Sequence, residues 1–196
     1  MGVYHRDYMR PDYQGGSKPS GPRSWSVVTW LIAINVAVYA FQWFLFRDSS
    51  LIMGSEGKLM PRGGLSWEAL EAGNVWTLIT YMFVHGSMWH LIFNMFVLHF
   101  AGRNVLEMLG RRHFLIIYFG GGLLGAMAQI SFGSLMGNES YLIGASAGVV
   151  ASLIAFAALA PQLEVYLLVF FVIPVRMKMK TVAKVVVGLD LAMMLV

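Results

Sequence analysis

The sequence contains no cysteine. This excludes a disulfide framework and any thiolate metal site, and it leaves the redox compartment unmarked. Charge is scarce as well. Only 12% of the 196 residues are charged while 58% are hydrophobic, whereas a soluble domain carries about a quarter of its residues as charges. Such a chain cannot cover itself with polar surface, so lipid has to be the solvent for much of it. The sequence pI of about 9.5 does not point to nucleic acid. The basic residues form no continuous stripe and sit in short clusters beside apolar runs, as membrane flanks do. Nothing at the N-terminus reads as a cleavable signal. Residues 1–24 are polar and rich in Gly, Pro, Tyr and Arg, and no small-residue cleavage site ends the apolar run that follows. Residues 1–24 therefore read as a cytoplasmic tail, and residues 25–196 as one transmembrane domain.

Apolar runs are abundant. A span needs about 20 apolar residues to cross about 30 Å of hydrocarbon. Five runs qualify or nearly so: 25–46, about 90–106, 114–132, 143–160 and 182–196. Trp25, Trp30 and Trp43 lie toward the ends of the first, where aromatic rings favour the interface. The fourth is short and stopped by Pro161. The expected fold class is an all-α, polytopic transmembrane helical bundle.

Charge sets the orientation. With the N-terminus inside, eleven of the fourteen basic residues fall on the cytoplasmic side: Arg6, Arg10, Lys18, Arg23, Arg103, Arg111, Arg112, Arg176, Lys178, Lys180 and Lys184. Only Arg47, Lys58 and Arg62 fall outside. This is a positive-inside pattern, and the expected location is a cell or inner membrane. The outer segment 47–86 is too long for a plain connection. Its Trp67, Leu70, Val75, Trp76, Leu78 and Ile79 pattern resembles an interfacial amphipathic helix. The apolar stretch 78–84 is too short to span and reads as a partly embedded loop beside a wet cavity.

Polar residues at membrane depth are candidates for function. Ser146 lies in Gly144-Ala145-Ser146-Ala147-Gly148 at the outer start of the fourth run. Flanking glycines let other groups approach the hydroxyl, and a helix N-terminus offers unpaired N–H groups to a developing oxyanion. The same residues also read as a packing stripe, Gly144-xxx-Gly148-xxx-Ser152. His90 and Asn94 are four apart, hence on one helix face, and two donors near a serine suit an oxyanion hole. They read equally as loop anchors bonded to backbone carbonyls, as does His85 in the loop before them. A metal site with His85 and His90 lacks a completing carboxylate. Gly121, Gly122, Gly125 and Ala126 form a small face on the third run. Glu107, His99, His113, Asn35 and Gln129 read as structural residues. Asp190 is a carboxylate within the fifth run and has no assigned role. Since it is the sole charge placed to line a path, a transporter is disfavoured.

In order, His85…His90-x3-Asn94, Glu107-x2-Gly110 and Gly144-Ala145-Ser146-Ala147-Gly148 resemble the rhomboid family of intramembrane serine proteases. Asn74-Val75-Trp76-Thr77 and the long outer loop fit as well. The resemblance covers residues 25–196. It implies a six-span helical core, no metal or other cofactor, and serine endopeptidase activity on transmembrane segments of other proteins. Ser146 would be the nucleophile, with His90 and Asn94 as oxyanion donors beside the Ser146 backbone N–H. His85 would support the loop and its water, and Gly144 the close packing around the serine. The family's general base is a histidine on a sixth span. Here all five histidines (His5, His85, His90, His99, His113) precede Ser146, and the chain stops within the fifth run. The expectation is a domain truncated at its C-terminus, inactive as it stands, with its base beyond residue 196. The alternative is a catalytically inactive rhomboid-like scaffold that binds transmembrane clients.

Overall fold

The structure is a computed structural model, and it describes residues 25–45, 51–53, 59–61, 63–136, 141–169 and 173–194. The expected tail, residues 1–24, lies outside the described residues. Helix dominates. Helix α1 runs Val27–Leu45. A short hairpin pairs β1 (Leu51–Met53) with β2 (Leu59–Pro61). Two short helices follow, α2 (Trp67–Glu71) and α3 (Thr77–Thr80), then a 3-10 turn, Tyr81–Phe83. Helix α4 (Met88–Val97) continues through a π-helical turn, Leu98–Gly102, into α5 (Arg103–Met136). Helix α6 spans Ser146–Leu159. An antiparallel hairpin of β3 (Glu164–Val169) and β4 (Ile173–Lys178) leads into α7 (Met179–Met194).

Among the described residues two helical stretches are long and apolar enough to cross a membrane, Val27–Phe44 and Met88–Gly133, while Ser146–Leu159 is apolar but shorter. Only 17% and 22% of their most apolar windows are buried in the protein. Their side chains therefore face outward, which the core helix of a water-soluble protein avoids. The second stretch counts 46 residues. At about 1.5 Å per residue that is twice a bilayer's thickness. Gly110, at φ 80°, breaks its helical path. A left-handed residue costs L-side chains about 1–2 kcal/mol, so glycine stands at the break.

Helices α5 and α6 pack closely through small residues. A Cβ on Gly125 would fall 2.6 Å from the Ala147 Cβ, and one on Gly121 would collide with Ala151. A Cβ on Gly148 would fall 2.7 Å from the Tyr118 carbonyl oxygen. Ser152, fully buried, donates to the Gly148 carbonyl at 2.9 Å. Around this seam the core gathers Phe114, Tyr118, Val149, Leu153 and Phe156, with Val28, Leu31 and Leu98 from the neighbouring helices. Outward stand Trp67, Val75, Trp76 and Ile79 of the outer segment, all exposed, as an interfacial element requires. That element is two short helices rather than the single one expected, because Gly73 turns the chain at φ 82°. The expected all-α class also lacked the β3–β4 hairpin. Toward its base the residues alternate between packed and exposed, with Val165 and Met177 against the core and Glu164, Tyr166, Arg176 and Lys178 outward.

Candidate active site

The site is assembled from three segments. The first is the start of α4. Ser87 has extended backbone and its hydroxyl accepts from the His90 N–H at 3.2 Å. This N-cap begins the helix at Met88 and so puts His90 in its first turn, with Asn94 one turn on. The predicted shared face holds, since the Asn94 side-chain amide donates to the His90 carbonyl at 2.9 Å. Asn94 is buried, and His90 is half-buried.

The second segment is the loop before α4. His85 is 2% exposed. Its backbone N–H donates to the Gln42 side chain of α1 at 3.3 Å, and Nδ1 lies 3.3 Å from the Phe83 carbonyl. A carbonyl only accepts, so Nδ1 carries the proton and Nε2 presents a lone pair. That Nε2 is buried and has no hydrogen-bond partner among the described residues. The imidazoles of His85 and His90 meet edge to face with centroids 5.1 Å apart. Burial, then the adjacent His90 charge, lowers the His85 pKa to about 4, against a smaller opposing pull from the Phe83 carbonyl. His85 is therefore neutral near pH 7. Gln42 was not singled out in the sequence, where one amide in an apolar helix carries no signal of what it touches.

The third segment leads into α6. Leu65 and Leu142 exchange backbone hydrogen bonds at 2.9 and 2.7 Å, and the Gly144 N–H donates to the Tyr81 carbonyl at 2.9 Å. Tyr81 is itself pinned, its hydroxyl donating to the Gly122 carbonyl at 2.7 Å. Gly144 has φ +107°, and a Cβ there would fall 2.5 Å from His90 Cε1 and 2.7 Å from Nε2. Glycine is required twice over, for the backbone angle and for room against the imidazole. Ser146 follows as the first helical residue of α6, half-buried. No side chain caps this helix, and its first intrahelical bond is Val149 N–H to Ala145 O at 3.0 Å. The N–H groups of Ser146, Ala147 and Gly148 thus precede the helix's own bonding and carry positive potential.

The structure therefore sets the His90 imidazole against both His85 and Gly144, with Asn94 one turn further along α4 and Ser146 two residues after Gly144 in the chain. Among the described residues no side-chain hydrogen bond engages the Ser146 hydroxyl. The packing reading of the glycine motif holds for part of it: Gly148 meets the Tyr118 carbonyl of α5 and Ser152 is fully buried, whereas Gly144 faces His90. Elsewhere, Glu107 pairs with Arg103 at 3.7 Å, both side chains exposed. His113 Nδ1 meets the Leu109 carbonyl at 2.9 Å. Both are structural contacts. Among the described residues no three His, Asp or Glu side chains gather closely enough to hold a metal ion.

The family model for the rhomboid domain matches residues 72–195, a stretch that contains His85, His90, Asn94, Gly144 and Ser146. The chain belongs to the rhomboid family. Curated rhomboid relatives carry names of both kinds. Presenilin-associated rhomboid-like protein A, mitochondrial, of Danio rerio is 25% identical over 84% of the chain and 40% of its own length. The putative rhomboid protease YdcA of Bacillus subtilis is 27% identical over 53% of the chain and 48% of its length. Inactive RHOMBOID-like protein 8 of Arabidopsis thaliana is 29% identical over 47% of the chain and 26% of its length. The chain thus spans between a quarter and a half of these rhomboid relatives. No solved structure matches it.

Proposed function

We propose that this rhomboid domain carries the nucleophile and oxyanion-binding parts of an intramembrane serine endopeptidase acting on transmembrane segments of membrane proteins. The observation that carries the reading is the Gly144–His90 contact. A glycine held at positive φ leaves room for an imidazole in the turn that presents a serine at an uncapped helix N-terminus. Ser146 attacks the scissile carbonyl. The oxyanion that forms is met by the Ser146 N–H, by His90 and by Asn94, each worth about 10²–10³ in rate for a well-aimed donor. Asn94 already spends one amide hydrogen on the His90 carbonyl, and the other remains for the oxyanion. His85, neutral and with its Nε2 lone pair facing inward, holds the loop and accepts from water there. The reaction uses no metal or other cofactor.

The serine needs a base to take its proton. We propose that a histidine takes it, one other than His85 and His90, whose roles here are to hold the loop and to meet the oxyanion. The proposed topology is multi-pass. The N-terminal tail 1–24 is cytoplasmic, and five spans of the domain 25–196 are built on α1, the two halves of the α4–α5 run, α6 and α7, with a sixth beyond. Helix α6 is short, so Ser146 sits below the outer surface at the floor of a wet cavity, where hydrolysis finds its water. Substrate helices must unwind to expose a carbonyl, which favours substrates with Gly, Pro or polar residues near their outer ends.

A relative named inactive favours one second reading, a scaffold that binds transmembrane clients without cleaving them. The deciding experiment is fluorophosphonate labelling of the protein expressed from its native gene in membranes, beside Ser146→Ala. Labelling lost in the variant establishes an activated serine. A folded product that takes no label establishes the scaffold.

A further inference from the structure

The β3–β4 hairpin has no part in the site, and its chemistry is separate. Its register pairs Glu164 with Lys178, Tyr166 with Arg176 and Val165 with Met177. Because strand side chains alternate, this divides the ribbon into two faces. Val165 and Met177 pack against the core, while Tyr166 is 69% exposed and Arg176 and Lys178 also face out. The base of the ribbon is fixed, since the Met179 N–H donates to the Leu163 carbonyl at 2.8 Å and the Lys180 N–H to the Pro161 carbonyl at 3.3 Å. Lys180 and Lys184 continue the exposed cations one turn apart on α7. Arg176 pairs with Glu164. Among the described residues no ion pair engages Lys180 or Lys184, and Lys178 lies across from a Glu164 that Arg176 already engages.

A two-stranded ribbon leaves one edge of each strand unpaired, and such groups are costly in hydrocarbon. Pro174, which has no N–H to donate, is tolerated in β4 for this reason. The ribbon therefore lies at headgroup level rather than in the acyl core. At that level the exposed ammonium groups of Lys178, Lys180 and Lys184, and the amphipathic Tyr166, would reach the phosphates of the leaflet. We propose that the outward face of this hairpin and the first turns of α7 form a seat for anionic phospholipid headgroups. Phosphate oxygens accept from Lys178, Lys180 and Lys184, and Tyr166 rests at the interface. The seat rests on the orientation proposed above and is independent of catalysis. In that orientation it meets the cytoplasmic leaflet, which carries the anionic lipid.

The 196 residues contain no cysteine, so Tyr166→Cys gives a single site for an environment-sensitive fluorophore. The labelled chain is reconstituted in nanodiscs of phosphatidylcholine alone or with phosphatidylglycerol. Emission shifted to the blue with phosphatidylglycerol, and reversed in Lys178→Gln/Lys180→Gln/Lys184→Gln, is the expected result. Titrating short-chain phosphatidylglycerol into the detergent-solubilised chain, read by its rise in melting temperature, should show apparent affinity falling about fivefold per cation removed. Equal emission in both lipids overturns the seat. So does a blue shift in both that the Lys→Gln changes leave alone, since that is apolar contact without headgroup recognition. A membrane-impermeant quencher that reaches position 166 only from the face opposite the N-terminus refutes the orientation, whatever the lipid dependence shows.

Discussion

Gly144 and Gly148 stand four residues apart in one motif, and they serve different regions of the molecule. Gly148 faces α5, where any Cβ would press on the Tyr118 carbonyl and on Met82. It belongs to a seam of small residues that lets two helix backbones approach. Gly144 faces the His90 imidazole from a turn at φ +107°. It belongs to a junction of loops held by a few long-range backbone bonds. At the seam a glycine's value is distributed over much helix packing. At the junction it is local and touches one ring. The same residue type at helical spacing thus serves stability in one place and geometry in the other, and the two should separate under mutation.

The largest expected effect falls at the junction and leaves the seam intact. Ser146→Ala in the native gene product should abolish fluorophosphonate labelling and lower proteolysis by about four orders of magnitude or more. Its melting temperature in detergent should stay within a few degrees of the parent. A melting temperature that collapsed with the activity would show Ser146 to be a packing residue.

The sharpest contrast comes from the two glycines together. Gly148→Val should destabilise the domain by about 3 kcal/mol or more through overpacking against a backbone carbonyl, with activity lost only in proportion to the unfolded fraction. Gly144→Ala adds one carbon in a left-handed turn, a strain of about 1–2 kcal/mol. It should slow labelling about tenfold or more in protein that remains folded, because His90 has to move. Matched losses of stability and labelling in both variants would erase the distinction between the regions.

A pH titration probes the junction alone. His85 has a folded pKa of about 4, lowered mainly by burial, against an unfolded value near 6.5. Between these values the unfolded chain holds more protons than the folded one. The contribution from His85 is therefore present above about pH 6.5 and is lost as pH falls toward 4. Thermal melts should show about 2 kcal/mol of stability lost across that window, and His85→Gln should flatten the dependence. The smallest effect belongs to the exposed Arg103–Glu107 turn. Glu107→Gln breaks an exposed pair with Arg103 and should change stability by less than about 1 kcal/mol, with labelling unchanged.

The sequence carried the helical character and the site's parts unevenly. Apolar runs located α1 and the two halves of the α4–α5 run within a few residues, since hydrophobic length is a local property. The exact starts were less legible. Helix α4 begins at Met88 because the Ser87 hydroxyl caps it, and the π turn at Leu98–Gly102 leaves no mark in an apolar pattern. The β3–β4 hairpin was missed because its packed residues, Val165 and Met177, read as part of a loop until the ribbon is laid against the core. His90 and Asn94 were readable as a pair from a spacing of four. That Gly144 rests on the His90 ring, or that Gln42 holds the His85 loop across 43 residues of chain, was not.

By itself the sequence determined the solvent, the helical character, the charge asymmetry and the set of residues able to do chemistry. Each follows from composition or from spacing within one element, where neighbours in sequence are neighbours in space. Only the tertiary structure decided which glycine packs and which makes room, and which nitrogen of His85 lies unpartnered. It also decided that the 81–87 loop, the start of α4 and the turn before α6 meet at one point. Those outcomes depend on contacts between segments far apart in the chain, whose geometry is set by helix packing and a handful of backbone hydrogen bonds such as Gly144 to Tyr81 and Leu65 to Leu142.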